Sequence, residues 1–260
     1  MNQSNVINTF RRTETKYRIT QKQMEQLLQS AGNRLKEDQY FQYTVHNIYM
    51  DTRDNAMIIH CLEHPEYKEK LRLRTYGSPS EDTPVYLELK KKYEGVTAKR
   101  RTSMSLRDAA QFCMNGCFSG SDQISQELAS AIALYHPIPK IFAAYDRLSY
   151  AGKFDSDLRM TFDTNLRYRS DHIDLSFHGN EKEYLKNGEV LLEIKAEERY
   201  PLWLVSLLQR LQIRPSSFSK YGAIYKQELS EQLKDHRVFA QEPVFESNVG
   251  YESGRSVLHV

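Results

Sequence analysis

The chain has 260 residues, 40% hydrophobic and 27% charged, which is enough apolar content to bury a core and too much for a disordered chain. Its 36 Lys and Arg against 34 Asp and Glu leave a formal charge of +2, so bulk charge identifies no polyanionic partner and the placement of the charges has to carry the argument. Three cysteines, Cys61, Cys113 and Cys117, exclude a disulfide framework, and neither an apolar leader nor a span of roughly 18 apolar residues is present, so a cytoplasmic protein without a membrane span is expected.

Residues 1–10 read as a flexible lead-in, 11–234 as one catalytic domain and 235–260 as a C-terminal tail. The first strand covers 11–19. A helix to about Leu35 follows, opened by Thr20 and Gln23 at capping-box spacing and carrying Met24, Leu27, Leu28 and Ala31 on one face. Residues 40–51 form a second strand, and a short helix spans Asn55 to His64, stopped by Pro65. A third strand at 67–76 precedes a hairpin of Val85–Tyr93 and Val96–Arg101, with Gly95 in its turn. Residues 105–135 read as two helices broken between Gly116 and Ser121, with Ser105 as N-cap. Long strands follow at 138–150 and 157–169, then a polar loop or ornamented hairpin at 170–188 and a last strand at 189–198. Pro201 suits the first turn of a helix, and a final helix runs from about Ser217 to Leu233.

The strands alternate with a period of two. Leu71 and Leu73 alternate with Lys70, Arg72 and Arg74; Val85, Leu87 and Leu89 alternate with Tyr86, Glu88 and Lys90. Arg12, Glu14, Lys16 and Arg18 repeat the pattern, as do Glu193 and Lys195. About eight such strands can close into a barrel with helices against its apolar outside. Its charged inside would then have to hold water and a polyanion, because unpaired buried charges each cost several kcal/mol. Alternation alone fits equally well an open antiparallel sheet whose charged face is solvated.

Other motifs are weaker. His60-Cys61-Leu62-Glu63-His64 matches the inverted zinc-protease spacing, but Pro65 follows at once and no partner glutamate helix is evident, so an amphipathic helix is the better reading. Cys113 and Cys117 fit core packing. Ser216 to Tyr221 opens the last helix, where serines can cap and free N–H groups can bind an anion. The inward face carries few aromatics for base stacking, which argues against nucleic acid.

Taken in order, Arg12-Thr13-Glu14-Thr15-Lys16-Tyr17, Lys70 to Tyr76, Glu88-Leu89-Lys90, Lys99-Arg100-Arg101, Tyr145-Asp146-Arg147, Arg159 to Asp163, Leu192 to Lys195 and Ser219-Lys220-Tyr221 resemble the catalytic domain of the vacuolar transporter chaperone (VTC) family. That is the polyphosphate polymerase branch of the triphosphate tunnel metalloenzymes. The resemblance covers about residues 10–230. It implies an α+β fold, an antiparallel eight-stranded β-barrel tunnel with a cationic interior, flanked by helices. It also implies Mn²⁺ or Mg²⁺. Eukaryotic relatives add a regulatory domain and membrane helices, so a stand-alone prokaryotic form is expected. Hydrolytic relatives begin E-x-E-x-K, whereas Arg12 stands at the first position here, which favours a polymerase lining.

The implied activity is transfer of the terminal phosphoryl of ATP to inorganic polyphosphate. Lys16, Arg72, Arg74, Lys90, Arg147, Arg159 and Lys195 are the expected catalytic cations. Arg12, Lys70, Lys99, Arg101, Ser219 and Lys220 are the expected further phosphate contacts. Glu193, with Glu14 and Glu88, is the expected metal set. A metal-dependent triphosphatase acting on triphosphate or polyphosphate, or a non-enzymatic polyphosphate-binding module, are the alternatives. An activating partner is a further expectation.

Overall fold

A computed structural model describes residues 12–239, apart from 65, 95, 177, 178 and 187. The expected lead-in, the Gly95 turn and most of the expected tail lie outside the described residues, as does the side chain of Arg12. The strands are β1 (Arg12–Thr20), β2 (Leu35–Asp51), β3 (Tyr67–Tyr76), β4 (Val85–Tyr93), β5 (Val96–Met104), β6 (Ile138–Gly152), β7 (Arg159–Arg169), β8 (Lys182–Glu183) and β9 (Glu189–Glu197). The helices are α1 (Gln21–Ala31), α2 (Ala56–Glu63), α3 (Leu106–Asn115), α4 (Gln123–Tyr135), α5 (Leu202–Arg210) and α6 (Lys220–Phe239).

The helix boundaries follow from local chemistry. The Thr20 hydroxyl accepts from the Gln23 amide at 3.1 Å while the Gln23 side chain accepts from the Thr20 amide at 2.9 Å, completing the capping box of α1. That helix ends four residues earlier than its sequence periodicity suggests, because Gly32 turns the chain at φ 53° and Leu35 opens β2. Ser105 caps α3 through the Asp108 amide. Pro201 is the N-cap of α5 rather than its first helical residue, and α6 starts at Lys220, three residues later than expected.

All strand pairs are antiparallel, in the order β1-β9-β7-β6-β2-β3-β4-β5, with the two-residue β8 added to β7. The eight long strands are those expected, but backbone pairing does not close the ring: β1 and β5 are its edges. The sheet nevertheless curls until its two ends approach, since Lys90 of β4 reaches Glu14 of β1 at 3.7 Å.

Apolar alternates pack outward in two clusters. One sets Leu71, Leu73, Leu87 and Leu89 against Phe112, Leu128 and Ile132 of α3 and α4. The other sets Phe162, Leu192 and Ile194 against Leu27 of α1 and Leu204 and Leu208 of α5. A third cluster lies on the inward side, where Val45, Tyr49, Ile141, Ala143 and Tyr145 meet Tyr221 and Ile224 of α6 and Ile58 and Cys61 of α2. The interior is therefore divided. Part is filled by α6 and is apolar, and part is lined with charge.

Asp51 holds that inner core in place. It is fully buried, its carboxylate accepts from the amides of Met57 (2.9 Å) and Ile58 (3.0 Å) at the start of α2, and it accepts from the Tyr221 hydroxyl at 2.8 Å. The Tyr221 ring lies flat on Tyr49, centroids 4.8 Å apart. Removing the carboxylate leaves buried donors without an acceptor. Asp51→Ala is expected to cost about 2–4 kcal/mol and Tyr221→Phe about 1 kcal/mol in urea unfolding; equal, negligible losses would refute this anchoring role.

Candidate active site: a cationic interior face

Register sets the site. Lys70, Arg72 and Arg74 project from one face of β3, opposite Lys90, Glu88 and Tyr86 of β4. Lys16 of β1 pairs with Glu193 of β9, and Glu14 with Lys195. Ser219 and Lys220 enter from the start of α6. Lys70 donates to the Ser219 hydroxyl at 2.6 Å, Lys220 to Asp163 at 2.6 Å, and Lys16 to the Phe218 carbonyl at 3.5 Å. One short segment thus touches β3, β7 and β1, strands far apart in the sheet order, which requires the sheet to wrap around it.

Glu88 is the hub of one wall. Its side chain is 1% exposed, and it pairs with Arg72 at 2.8 Å, Lys99 at 2.6 Å, Arg101 at 3.5 Å and Arg74 at 3.9 Å. Burial opposes its ionisation, but Arg74, Arg72 and Lys99 outweigh burial and hold the carboxyl at about 2. Arg74 is steadied further by Asn47 at 2.9 Å and the Tyr145 hydroxyl at 3.3 Å.

A second carboxylate, Asp163, takes a bidentate pair from Arg147 (2.6 and 2.8 Å) together with the Lys220 ammonium. Arg147 and Lys220 are consequently committed to the wall, and the geometry favours a positioning role for both over direct phosphate contact. The Lys220 ammonium also sits over the Tyr145 ring at 4.2 Å. Arg159 lies in register with Lys195 but at the exposed start of β7, where it pairs with Asp38 of β2 at 2.5 Å. Arg18 is paired with Glu189 at 2.7 Å, and Lys92 is exposed.

The third carboxylate group is Glu193 with Glu14. Glu193 touches Lys195 at 2.6 Å and Lys16 at 3.9 Å; Glu14 touches Lys16 at 3.6 Å and Lys90 at 3.7 Å. Burial disfavours the Glu193 charge, yet Lys195 and Lys16 hold its carboxyl well below the usual range. Mg²⁺ and Mn²⁺ sites in phosphate enzymes use one or two carboxylates plus substrate oxygens. Glu193 and Glu14 fit that demand, since both reach the same cation position at Lys16. Glu88 does not, because its oxygens are taken up by four cationic side chains. Among the described residues no set of three or more His, Cys, Asp or Glu converges as a cage, so the zinc-like His60 and His64, with ring centroids 4.5 Å apart, form none. Cys113 packs into the outer core, whereas Cys117 is exposed.

Sequence reasoning underestimated the aromatics on this face. Tyr43, Tyr76, Tyr86 and Tyr145 all lie on it. Their parity with Arg74, Glu88 and Arg147 along the strands was the signal available.

Two expectations follow. Burial lowers the Lys70 ammonium to about 8. Its charge is therefore present below that value and is lost above it unless a bound anion holds the proton. Affinity for an added inorganic polyanion should fall as pH rises above about 8, by up to roughly tenfold per unit for this one group, and Lys70→Arg should flatten the profile in isothermal titration. Glu88→Gln should lower Tm in the absence of anion, with added polyphosphate restoring much of the loss by neutralising the same cations. A variant whose Tm is unchanged, or is not recovered by polyphosphate, would refute the hub assignment.

The family model described as the VTC domain matches residues 11–228. No curated protein matches the chain. Among solved structures, a candidate adenylate cyclase from Bacillus halodurans aligns with TM-score 0.51 at 12% identity, over 79% of this chain and 92% of that one. A protein from Pyrococcus horikoshii aligns with TM-score 0.47 at 10% identity, over 83% and 99%. Among the described residues no helix is long and apolar enough to cross a membrane.

Proposed function

Because this chain belongs to the VTC-domain family, we propose that it is a cytoplasmic phosphotransferase that moves the terminal phosphoryl group of ATP onto a growing chain of inorganic polyphosphate. The observation that carries this reading is the row Lys70, Arg72 and Arg74, two residues apart on one face, flanked by Lys90 on the neighbouring strand and answered by Lys16 and Lys195 from strands that the curl brings round. A single phosphate does not need so long a row. A linear polyphosphate does, and Arg forks and Lys ammonium groups are the donors that match its oxygens.

Phosphoryl transfer of this type asks the protein for positioning and charge neutralisation more than for covalent chemistry. Arg72 and Arg74 would hold donor phosphates, with Arg147 fixing the wall beside them. Lys16, Lys70, Lys90 and Lys195, with Ser219, would hold the acceptor end, while the departing ADP keeps its phosphates on Arg72 and Arg74. Lys99 and Arg101 would neutralise further phosphate charge, and Arg159, at the exposed start of β7, would meet phosphates entering the interior. A terminal phosphate oxygen is already a nucleophile, so no strong base is required. Mn²⁺ or Mg²⁺ would be held by Glu193 and Glu14 and would supply neutralisation of developing charge on bridging oxygens.

Incubation with ATP and Mn²⁺, followed by ³¹P NMR, should show an internal-phosphate signal growing as ADP accumulates. Glu193→Gln should reduce that growth by at least tenfold while sparing metal-free polyphosphate binding. Orthophosphate and ADP without any internal-phosphate signal would replace the reading with a triphosphatase. Binding without turnover would replace it with a binding module or with an enzyme that needs an activating partner.

A further inference from the structure

Aromatic rings on a cationic wall have no use for phosphate, yet one group of them stands at the end of β3 and β4 away from α6. Tyr76 closes β3 two residues beyond Arg74, and Tyr86 lies opposite Arg74 on β4. The Tyr76 and Tyr86 rings meet edge to face at 5.9 Å, and Tyr43 of β2 meets Tyr76 at 5.6 Å. All three are half-buried. The Arg101 guanidinium lies 3.5 Å from the Tyr86 ring centre and 5.7 Å from that of Tyr76. Tyr43 and Tyr76 border the inner apolar core, but Tyr86 packs into none of the three core clusters.

We propose that this Tyr86–Arg101 stack, with Tyr76 at its edge, is the seat of the nucleobase of the phosphoryl donor, and so determines the choice of a nucleoside triphosphate over an inorganic one. The inference rests on the phosphotransferase reading above and adds a substrate class and a direction to it. Planar bases stack on tyrosine rings and on guanidinium planes alike. Residues two apart on a strand are about 7 Å apart, so a base seated on Tyr86 or Tyr76 has Arg74 and Arg72 as the next groups inward. Those are the groups that accept a phosphate tail. Lys70 and Ser219 lie at the far end of the same row. The donor therefore enters base outward, with its terminal phosphate pointing towards α6.

The test is isothermal titration of the full chain with ATP and with tripolyphosphate, in EDTA so that turnover is arrested. Tyr86→Leu and Tyr76→Leu should each weaken ATP roughly tenfold, the loss of a stacked base, while tripolyphosphate affinity changes less than about twofold. Tyr86→Phe keeps the ring and should keep the affinity for ATP. Equal weakening of both ligands, or no weakening of ATP, overturns the nucleobase seat and leaves the phosphotransferase reading standing. A wild-type chain that binds neither ligand overturns both. Saturation-transfer NMR of ATP on the wild-type chain needs no variant: the strongest transfer should fall on the adenine H2 and H8 protons, and strongest transfer on the ribose overturns the seat.

Discussion

Like charges a few ångströms apart repel, and the interior of this sheet is built around containing that repulsion. In water two such charges at 4 Å cost about 1 kcal/mol, and several times more beside a protein wall. Here Glu88, Asp163 and Glu193 are spaced so that most cations of the inner wall lie near a carboxylate, with Glu14 beside Lys90 and the Ser219 hydroxyl beside Lys70. Glu88 collects Arg72, Arg74, Lys99 and Arg101, Asp163 collects Arg147 and Lys220, and Glu193 collects Lys195 and Lys16. The carboxylates do not cancel the wall. They offset the repulsion on folding, while Lys70 is held by the Ser219 hydroxyl rather than by a carboxylate.

The second constraint is mechanical. A curled sheet with a charged inner face has little apolar packing on that side to hold its shape, and here the start of α6 supplies it. Tyr221 and Ile224 fill one part of the interior, Asp51 ties that helix start to α2, and Ser219 and Lys220 arrive in the charged part as a direct result. The same few residues therefore belong to the core and to the site. A change in how α6 seats would be felt at Lys70 and Asp163 without any strand having moved.

Much of this was legible in the sequence because strand parity is a strict rule. Alternation in β3, β4, β1 and β9 places Lys70, Arg72, Arg74, Lys90, Lys16 and Lys195 on one face, and the structure gathers them there. Parity does not reveal which charge a side chain will pair with, and so Glu88 reads as a metal ligand until its four partners are seen. Nor does parity reveal depth: Arg159 shares the inward phase of β7 but sits at its exposed start, while Arg147 is locked to Asp163. Asp51 and Tyr221 are 170 residues apart, so their contact exists only once the sheet has curled. Tyr76 and Tyr86 occupy the same alternation, but an uncharged ring in the inward phase reads equally well as core, so charge patterning does not mark them.

The sheet's two margins are not alike: β1 is partly covered, with Tyr17 bridging to Pro215 and the Ser216 amide donating to the Lys16 carbonyl, whereas β5 carries no further strand among the described residues. A margin of a β-sheet offers unpaired N–H and C=O groups to any extended chain, which is how sheets recruit copies of themselves. On β5 that margin carries Lys99, Arg100 and Arg101, and Arg100 is tethered to Glu127 of α4. A second β5 brought alongside would set like charges against one another before its backbone could pair. Charges that line the inner face of β5 thus also make its open margin a poor template for self-association.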